Sequence, residues 1–299
     1  MKYIIGGGIS GLIYSFYNKG HVIISKNVGG QLKTDFPMGP RILQRTSATT
    51  KLLHDLGISA KTRTAFIGYK IDEDTFSNIC PIGFSRQYYI ETRKPLSIDS
   101  VPNSTMSDGK TFIEYYDIEM LDLIEHLSQY SHMYNSNVSS IDVENFNIIL
   151  EDDMEFSYRN SKLISTIPIT LLCKLTDIKI KHDFRTLDKI YILSDNFKDY
   201  HQSYDYIYYI DHVYNRVTRY SHENKHYHII EYTGLDIETV RLHCKDNHIN
   251  IVNEIIQRNA QICKSMDSNP FKQYNIELIG RYAKWQHSIK IQDVIEESI

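Results

Sequence analysis

An apolar stretch, Lys2 to Ile5, runs straight into Gly6-Gly7-Gly8-Ile9-Ser10-Gly11, and the helical stretch Leu12 to Asn18 follows at once. A second apolar stretch, His21 to Ser25, comes after the turn at Lys19-Gly20, so the chain opens as strand, glycine turn, helix, strand. A unit of that order belongs at the start of a doubly wound parallel sheet, because parallel neighbours need a helical crossover. The glycines add chemistry to the topology. A dinucleotide pyrophosphate must approach main-chain N–H groups at a helix N-terminus, and a Cβ in the turn would block it. Gly6, Gly8 and Gly11 supply three openings, with Ile9 and Ser10 between them. A glycine triplet alone is weak evidence; one set between a strand and a helix is moderately specific, and the competing reading is a glycine-rich turn without a ligand. One departure stands out. The acid that normally ends the second strand and hydrogen-bonds the adenosine ribose is replaced by Ser25, so a hydroxyl is all that remains there.

The rest of the chain bounds the class. With 299 residues, 41% of them hydrophobic, one large or two interleaved domains are expected. Lys and Arg number 33 against 37 Asp and Glu, and no basic run could track phosphates, so nucleic acid is not the expected partner. Cys80, Cys173, Cys244 and Cys263 form no Cys-x-x-Cys pair, so neither zinc nor a disulfide framework is indicated and a reducing cytoplasm is expected. His222, His226 and His228 fall near Lys225 in a polar turn, and exposed histidines are expected rather than a metal site. No apolar stretch approaches the roughly 18 residues of a membrane span. The 23 tyrosines, with many Ile, Asn and Lys, read as drift in an AT-rich genome such as a viral one.

Periodicity predicts a helix over Thr49 to Leu56, then an irregular region with strands at Gln87 to Glu91 and Thr111 to Tyr115. Ile118 to Tyr130 reads as an amphipathic helix. Val138 to Val143, Phe146 to Leu150 and Met154 to Tyr158 read as a small meander, and Leu163 to Ile167 as a buried strand. The segment 179–234 is strand-rich and unusually aromatic, with Tyr204, Tyr206, Tyr208, Tyr209, Tyr214 and Tyr220 close together, and is the expected substrate wall. Ile249 to Cys263 is predicted as a helix, Ile276 to Ile279 as a strand and Ile291 to Glu297 as a closing helix.

The paired glycines in Val28-Gly29-Gly30-Gln31-Leu32-Lys33-Thr34 resemble those of flavoproteins of the amine oxidase, protoporphyrinogen oxidase and UDP-galactopyranose mutase superfamily. Gly39-Pro40-Arg41-Ile42-Leu43 is similar to the loop beside the isoalloxazine ring in that group. Leu163-Ile164-Ser165-Thr166-Ile167-Pro168 resembles the strand leading out of the cofactor domain. Gly280-Arg281-Tyr282-Ala283-Lys284-Trp285, with Ile291-Gln292-Asp293-Val294, resembles the closing strand and helix over the flavin. The resemblance implies FAD as cofactor and an α/β fold: a Rossmann-like domain with a glutathione-reductase-type doubly wound sheet, and an interleaved, mostly β substrate domain. It implies segments 1–59, 117–168 and 236–299 for the first, and 60–116 and 169–235 for the second. It further implies cofactor contacts by Gly6, Gly8, Ile9, Ser10, Gly11, Ser25, Gly29, Gly30, Gln31, Gly39, Pro40, Arg41, Val138, Thr166, Gly280, Arg281, Trp285, Gln292 and Asp293. For Gly280 to Trp285 the competing reading is a tight turn with a core tryptophan.

On the reactive side, Tyr208-Tyr209-Ile210-Asp211-His212-Val213-Tyr214-Asn215-Arg216 resembles a segment that sets an arginine and tyrosines against substrate in mutase-like members. Arg216 is the candidate for a substrate anion, flanked by Tyr209 and Tyr214; an aromatic strand with a solvated arginine is the alternative. Three functions follow in order of expectation. The first is an FAD-dependent oxidoreductase taking hydride from a small organic substrate such as an amine. The second is a redox-neutral, UDP-galactopyranose mutase-like flavoenzyme acting on a nucleotide sugar, and the third a non-catalytic nucleotide-binding relative.

Overall fold

The computed structural model describes residues 2–30, 42–72, 75–94, 111–222 and 225–299. Strand β1 (Lys2–Gly8), helix α1 (Ile9–Tyr17) and strand β2 (His21–Gly29) form the opening unit, and the strands pair in parallel with Tyr3 opposite Val22. Five parallel strands result, in the order Ile276–Leu278, Leu163–Ser165, β1, β2, His132–Tyr134. Tyr3, Ile4 and Ile5 are all buried, the continuous apolar run that a strand covered on both faces requires.

The two faces are covered differently. Ile4, Ile23 and Ile164 point to the helical layer, where they meet Leu12 and Ile13 of α1, Leu123 and Leu127 of helix Met120–Gln129, and Ile295 of helix Ile291–Ser298. Tyr3, Ile5, Ile24 and Leu163 point the other way, onto the antiparallel meander Val138–Asp142, Asn147–Leu150, Glu155–Ser157. Each buried aliphatic side chain contributes about 1.5–3 kcal/mol, and a one-residue slip would exchange the two sets, so the alternation pins the register. Helix Ser47–Asp55 starts where Thr46 accepts from the Thr49 N–H at 3.1 Å and its own N–H donates to Thr49 Oγ1 at 2.9 Å, a reciprocal cap.

The second sheet runs Asn253–Ile262, Thr186–Ser194, Lys225–Thr233, Arg216–His222, Tyr206–Tyr208, Thr62–Lys70, Phe112–Tyr116, Leu43–Gln44, with Phe76–Ser77 beside Thr62–Lys70. One face is apolar, with Ile190, Ile192, Ile207, Tyr209, Val217, Ile230 and Tyr232 packed under Val240 and Cys244 of helix Ile237–Asp246. The other faces the parallel sheet across a cavity.

Two predicted elements differ. Gln87 to Glu91 lies inside helix Phe84–Arg93, because Phe84, Tyr88 and Thr92 recur at helical spacing and Phe84 and Thr92 are buried. Ile249 to Cys263 holds the strand Asn253–Ile262: its β-branched Ile255 and Ile256 sit opposite Tyr191 and Ile190, and pairing with a neighbouring strand outweighs the local helical pattern. That strand takes part of the expected segment 236–299 into the second sheet. His228 also differs from the exposed histidine expected, being half-buried against Tyr200 and Phe197.

Candidate functional site

A cavity of about 720 Å³ lies at the carboxyl ends of the parallel strands, closed on its far side by the second sheet. Clefts at strand carboxyl ends are where open α/β sheets take their ligands. Gly6, Gly8, Ile9 and Ser10 line it, and no side chain caps α1. The first-turn N–H groups of α1 thus front the cavity together with the positive end of the helix dipole. Gly8 has an ordinary backbone (φ -73°), and a Cβ built on it meets no protein atom within 4 Å. Gly6 and Gly11 are glycines for a different reason. A Cβ at Gly6 would come within 2.5 Å of Thr166 Oγ1, and one at Gly11 would collide with the Gly6 carbonyl oxygen. Gly11, expected to open the way for pyrophosphate, does not line the cavity; it lets α1 lie against β1. Thr166 stitches this turn, its hydroxyl 3.0 Å from the carbonyl oxygens of both Ile5 and Gly6.

At the end of β2, Ser25, Gly29 and Gly30 line the cavity, and so does Asn27, which the sequence reading missed. The pairing with β1 shifts register between Ile5 and Gly7, and Ser25 Oγ donates to the Asn27 carbonyl at 2.7 Å. The hydroxyl in the acid position is therefore engaged by its own strand. Gln31, Gly39, Pro40 and Arg41 lie outside the described residues.

The C-terminal segment closes the same cavity with Arg281, His287, Ile289 and Gln292. Gly280 has φ +90°, and a side chain there would strike Ser10, so this turn reaches the head of α1 only as glycine. Arg281 Nε donates to the Ile289 carbonyl at 3.1 Å, and burial pushes the guanidinium pKa down. Asp293 is turned to another task, accepting the Lys290 N–H at 2.7 Å at the start of the last helix. Trp285 is a core residue, 3% exposed and edge-on to Phe184. Val138 packs at the head of the meander, away from the cavity lining.

Register explains the far wall. Glu231 sits directly opposite Tyr191 on one neighbouring strand and Arg216 on the other, and Arg216 sits opposite Tyr208. Directly opposed residues share a face. Lys189 and Tyr191 therefore join Glu231, Arg216, Tyr206 and Tyr208 on the inner side, whereas Tyr209, one residue from Tyr208, falls on the other. Tyr209 and Tyr214 are consequently not substrate-side groups: both are buried in the outer core, donating to the Asp199 carbonyl at 2.5 Å and to Asp199 Oδ2 at 2.6 Å. Arg216 does line the cavity, though paired rather than solvated. Glu231 accepts from Arg216 through one carboxylate oxygen and from Lys189 Nζ through the other at 2.6 Å.

Burial alone would raise the Glu231 carboxyl, but the two cations outweigh it and hold it at about 2. Burial lowers Lys189, and Glu231 opposes the fall. His287, whose Nδ1 has no partner among the described residues, is held neutral by burial and by the charges of Arg281, Arg93, Lys189 and Arg216. Lys189, Glu231, Tyr191 and His287 were absent from the sequence expectation, whereas Tyr206 lies in the aromatic segment expected to form the wall and lines the cavity. The alternation of Lys189 and Tyr191 with Ile190 and Ile192 is the signal that could have found the first of them.

The arrangement fits a dinucleotide cofactor, with an uncapped helix N-terminus, open space at Gly8, and Lys189 and Arg216 on the facing wall of the cavity. No protein-family model matches the chain, and no curated protein matches it in sequence. Solved structures do match in fold. An oxidoreductase from Methanosarcina mazei superposes with a TM-score of 0.68 at 13% identity, over 99% of this chain and 98% of that one. A reduced UDP-galactopyranose mutase gives 0.66 at 12%, over 98% and 90%. A putrescine oxidase redesigned in its cofactor binding gives 0.63 at 11%, over 99% and 96%. The likeness spans nearly the whole chain, and this protein has the fold that these solved structures share.

Proposed function

We propose that this protein binds FAD along the cavity, with its diphosphate at the head of α1, and acts as an FAD-dependent oxidoreductase on a small organic molecule. The observation that carries the reading is the uncapped N-terminus of α1 opening onto a cavity where Gly8 leaves room for a ligand. Solved structures of the same fold with an oxidoreductase and an oxidase among them support it. Segments 1–59 and 117–168, with the C-terminal strand and helix, make up the cofactor half in this proposal.

When bound, FAD would supply the hydride acceptor. The chain supplies the rest. Amides of Ile9 and Ser10 hold the diphosphate, and Thr166 keeps the turn in shape for them. Arg281, beside the glycine turn that reaches the head of α1, compensates phosphate charge, and Gln292 in the first turn of the closing helix favours negative charge on the flavin. The inner face of the second sheet, with Tyr191, Tyr206, Tyr208 and Arg216, forms the substrate wall and keeps bulk water from it. A second reading, a redox-neutral enzyme acting on a nucleotide sugar, draws on the buried cations of that wall, Lys189 and Arg216, which suit a phosphorylated ligand.

The test is the absorbance spectrum of the purified protein. Flavin bands and release of FAD on denaturation are expected; a colourless protein that takes up no added FAD would sink the proposal. Anaerobic bleaching by a candidate substrate supports the oxidoreductase, whereas UDP-sugar binding only after dithionite reduction supports the second reading.

A further inference from the structure

The charges of the cavity wall do not balance. Arg281, Lys189 and Arg216 line the cavity, and with Arg93, which lies outside the lining, they act on the single imidazole of His287. Glu231 is the carboxylate shared between Lys189 and Arg216, and Asp293, which acts on Arg281, is occupied as a helix cap. Arg216 Nε is buried with no partner among the described residues. Burying unmatched positive charge is costly, and natural sites keep such an excess where an anion completes it. Beside the cations the same wall is flat and aromatic, with Tyr191, Tyr206 and Tyr208 on the cavity.

Resting on the flavoenzyme reading above, we propose that the substrate is an organic anion: an apolar body lies against these tyrosines and an anionic head group docks on Arg216 and Lys189. Glu231 serves there as an internal counter-ion that competes with the head group for the two cations. A protonated amine meets like charge on this wall and is rejected. Glu231 is thus a positioning residue that tunes affinity, and removing its charge strengthens anion binding instead of weakening it.

Calorimetric titration of the purified protein with benzoate, inorganic phosphate and benzylamine tests this, with flavin content read separately from absorbance. Benzoate is expected to bind more tightly than phosphate, which lacks the apolar body, and benzylamine not to bind. In Glu231→Gln, benzoate is expected to tighten about tenfold, and in Arg216→Gln to weaken about tenfold, as one charge-assisted hydrogen bond is freed or lost. A role confined to holding the fold would weaken binding in both variants. If Glu231→Gln does not accumulate as folded protein, Lys189→Met, which leaves the Arg216 pair in place, is expected to weaken benzoate about tenfold. Benzylamine binding as tightly as benzoate, phosphate binding more tightly than benzoate, or benzoate affinity unchanged or reduced in Glu231→Gln overturns the inference. Anion preference in a protein that takes up no flavin sinks the cofactor reading alone; flavin without anion preference sinks this one alone.

Discussion

Gly8 and Gly11 stand three residues apart in one motif and make opposite demands, which a pair of alanine substitutions separates. At Gly8 the backbone is ordinary and a Cβ meets no protein atom within 4 Å. Stiffening the unfolded chain gains about 0.4–1 kcal/mol, and losing a favourable N-cap residue costs a similar amount. The apoprotein of Gly8→Ala should therefore unfold within about 0.5 kcal/mol of the parent. The new methyl group stands where the diphosphate must come close to main-chain amides. Displacing the ligand from one such charge-assisted hydrogen bond costs about 1.5–3 kcal/mol, or about 10- to 100-fold in FAD affinity. At Gly11 the Cβ instead collides with the Gly6 carbonyl oxygen, a main-chain atom that cannot swing aside. Helix α1 must shift off β1, and overpacking of this kind costs about 1–3 kcal/mol in the apoprotein itself. Urea melts of the two apoproteins give stability, and quenching of flavin fluorescence on titration with FAD gives affinity. The reasoning is refuted if Gly8→Ala is destabilised as much as Gly11→Ala, or if it binds FAD as the parent does.

Two further outcomes are expected. Burial lowers the pKa of His228 to about 4 and that of His287 well below its ordinary value, so the folded state binds fewer protons than the unfolded chain. Stability should be complete above the unfolded histidine value of about 6.5 and fall as pH drops toward 4; thermal melts across this window should show the loss, reduced in His228→Gln, and a flat profile would contradict it. Trp285, which belongs to the core and carries an indole N–H with no partner among the described residues, should tolerate replacement by phenylalanine at a cost no greater than about 2 kcal/mol. Flavin content per chain should be unchanged in Trp285→Phe, and loss of the cofactor would return this residue to the site.

The opening unit was legible because each of its signals is local. The apolar run before Gly6, the helical stretch after Gly11 and the apolar run after Gly20 depend on neighbours within a few residues, and β1, α1 and β2 formed where they pointed. The meander and the closing helix were legible for the same reason. Helix Phe84–Arg93 and strand Asn253–Ile262 were misread because short mixed stretches satisfy both periodicities, and pairing or packing with distant segments decides between them. The segment 179–234 was expected to form the wall of the site, but which of its side chains face the cavity was beyond local reading. Lys189, Arg216 and Glu231 come from three strands whose register brings one lysine and one arginine onto one carboxylate, and the same register sends Tyr209 to the opposite face.

The amino-acid order by itself determined where the backbone may pass close to a ligand, since the absence of a Cβ is a property of single residues. Which glycine faces the ligand and which faces the neighbouring strand, and which charged side chains share a chamber, only tertiary pairing decided, because contact and burial are relations between segments far apart in the chain.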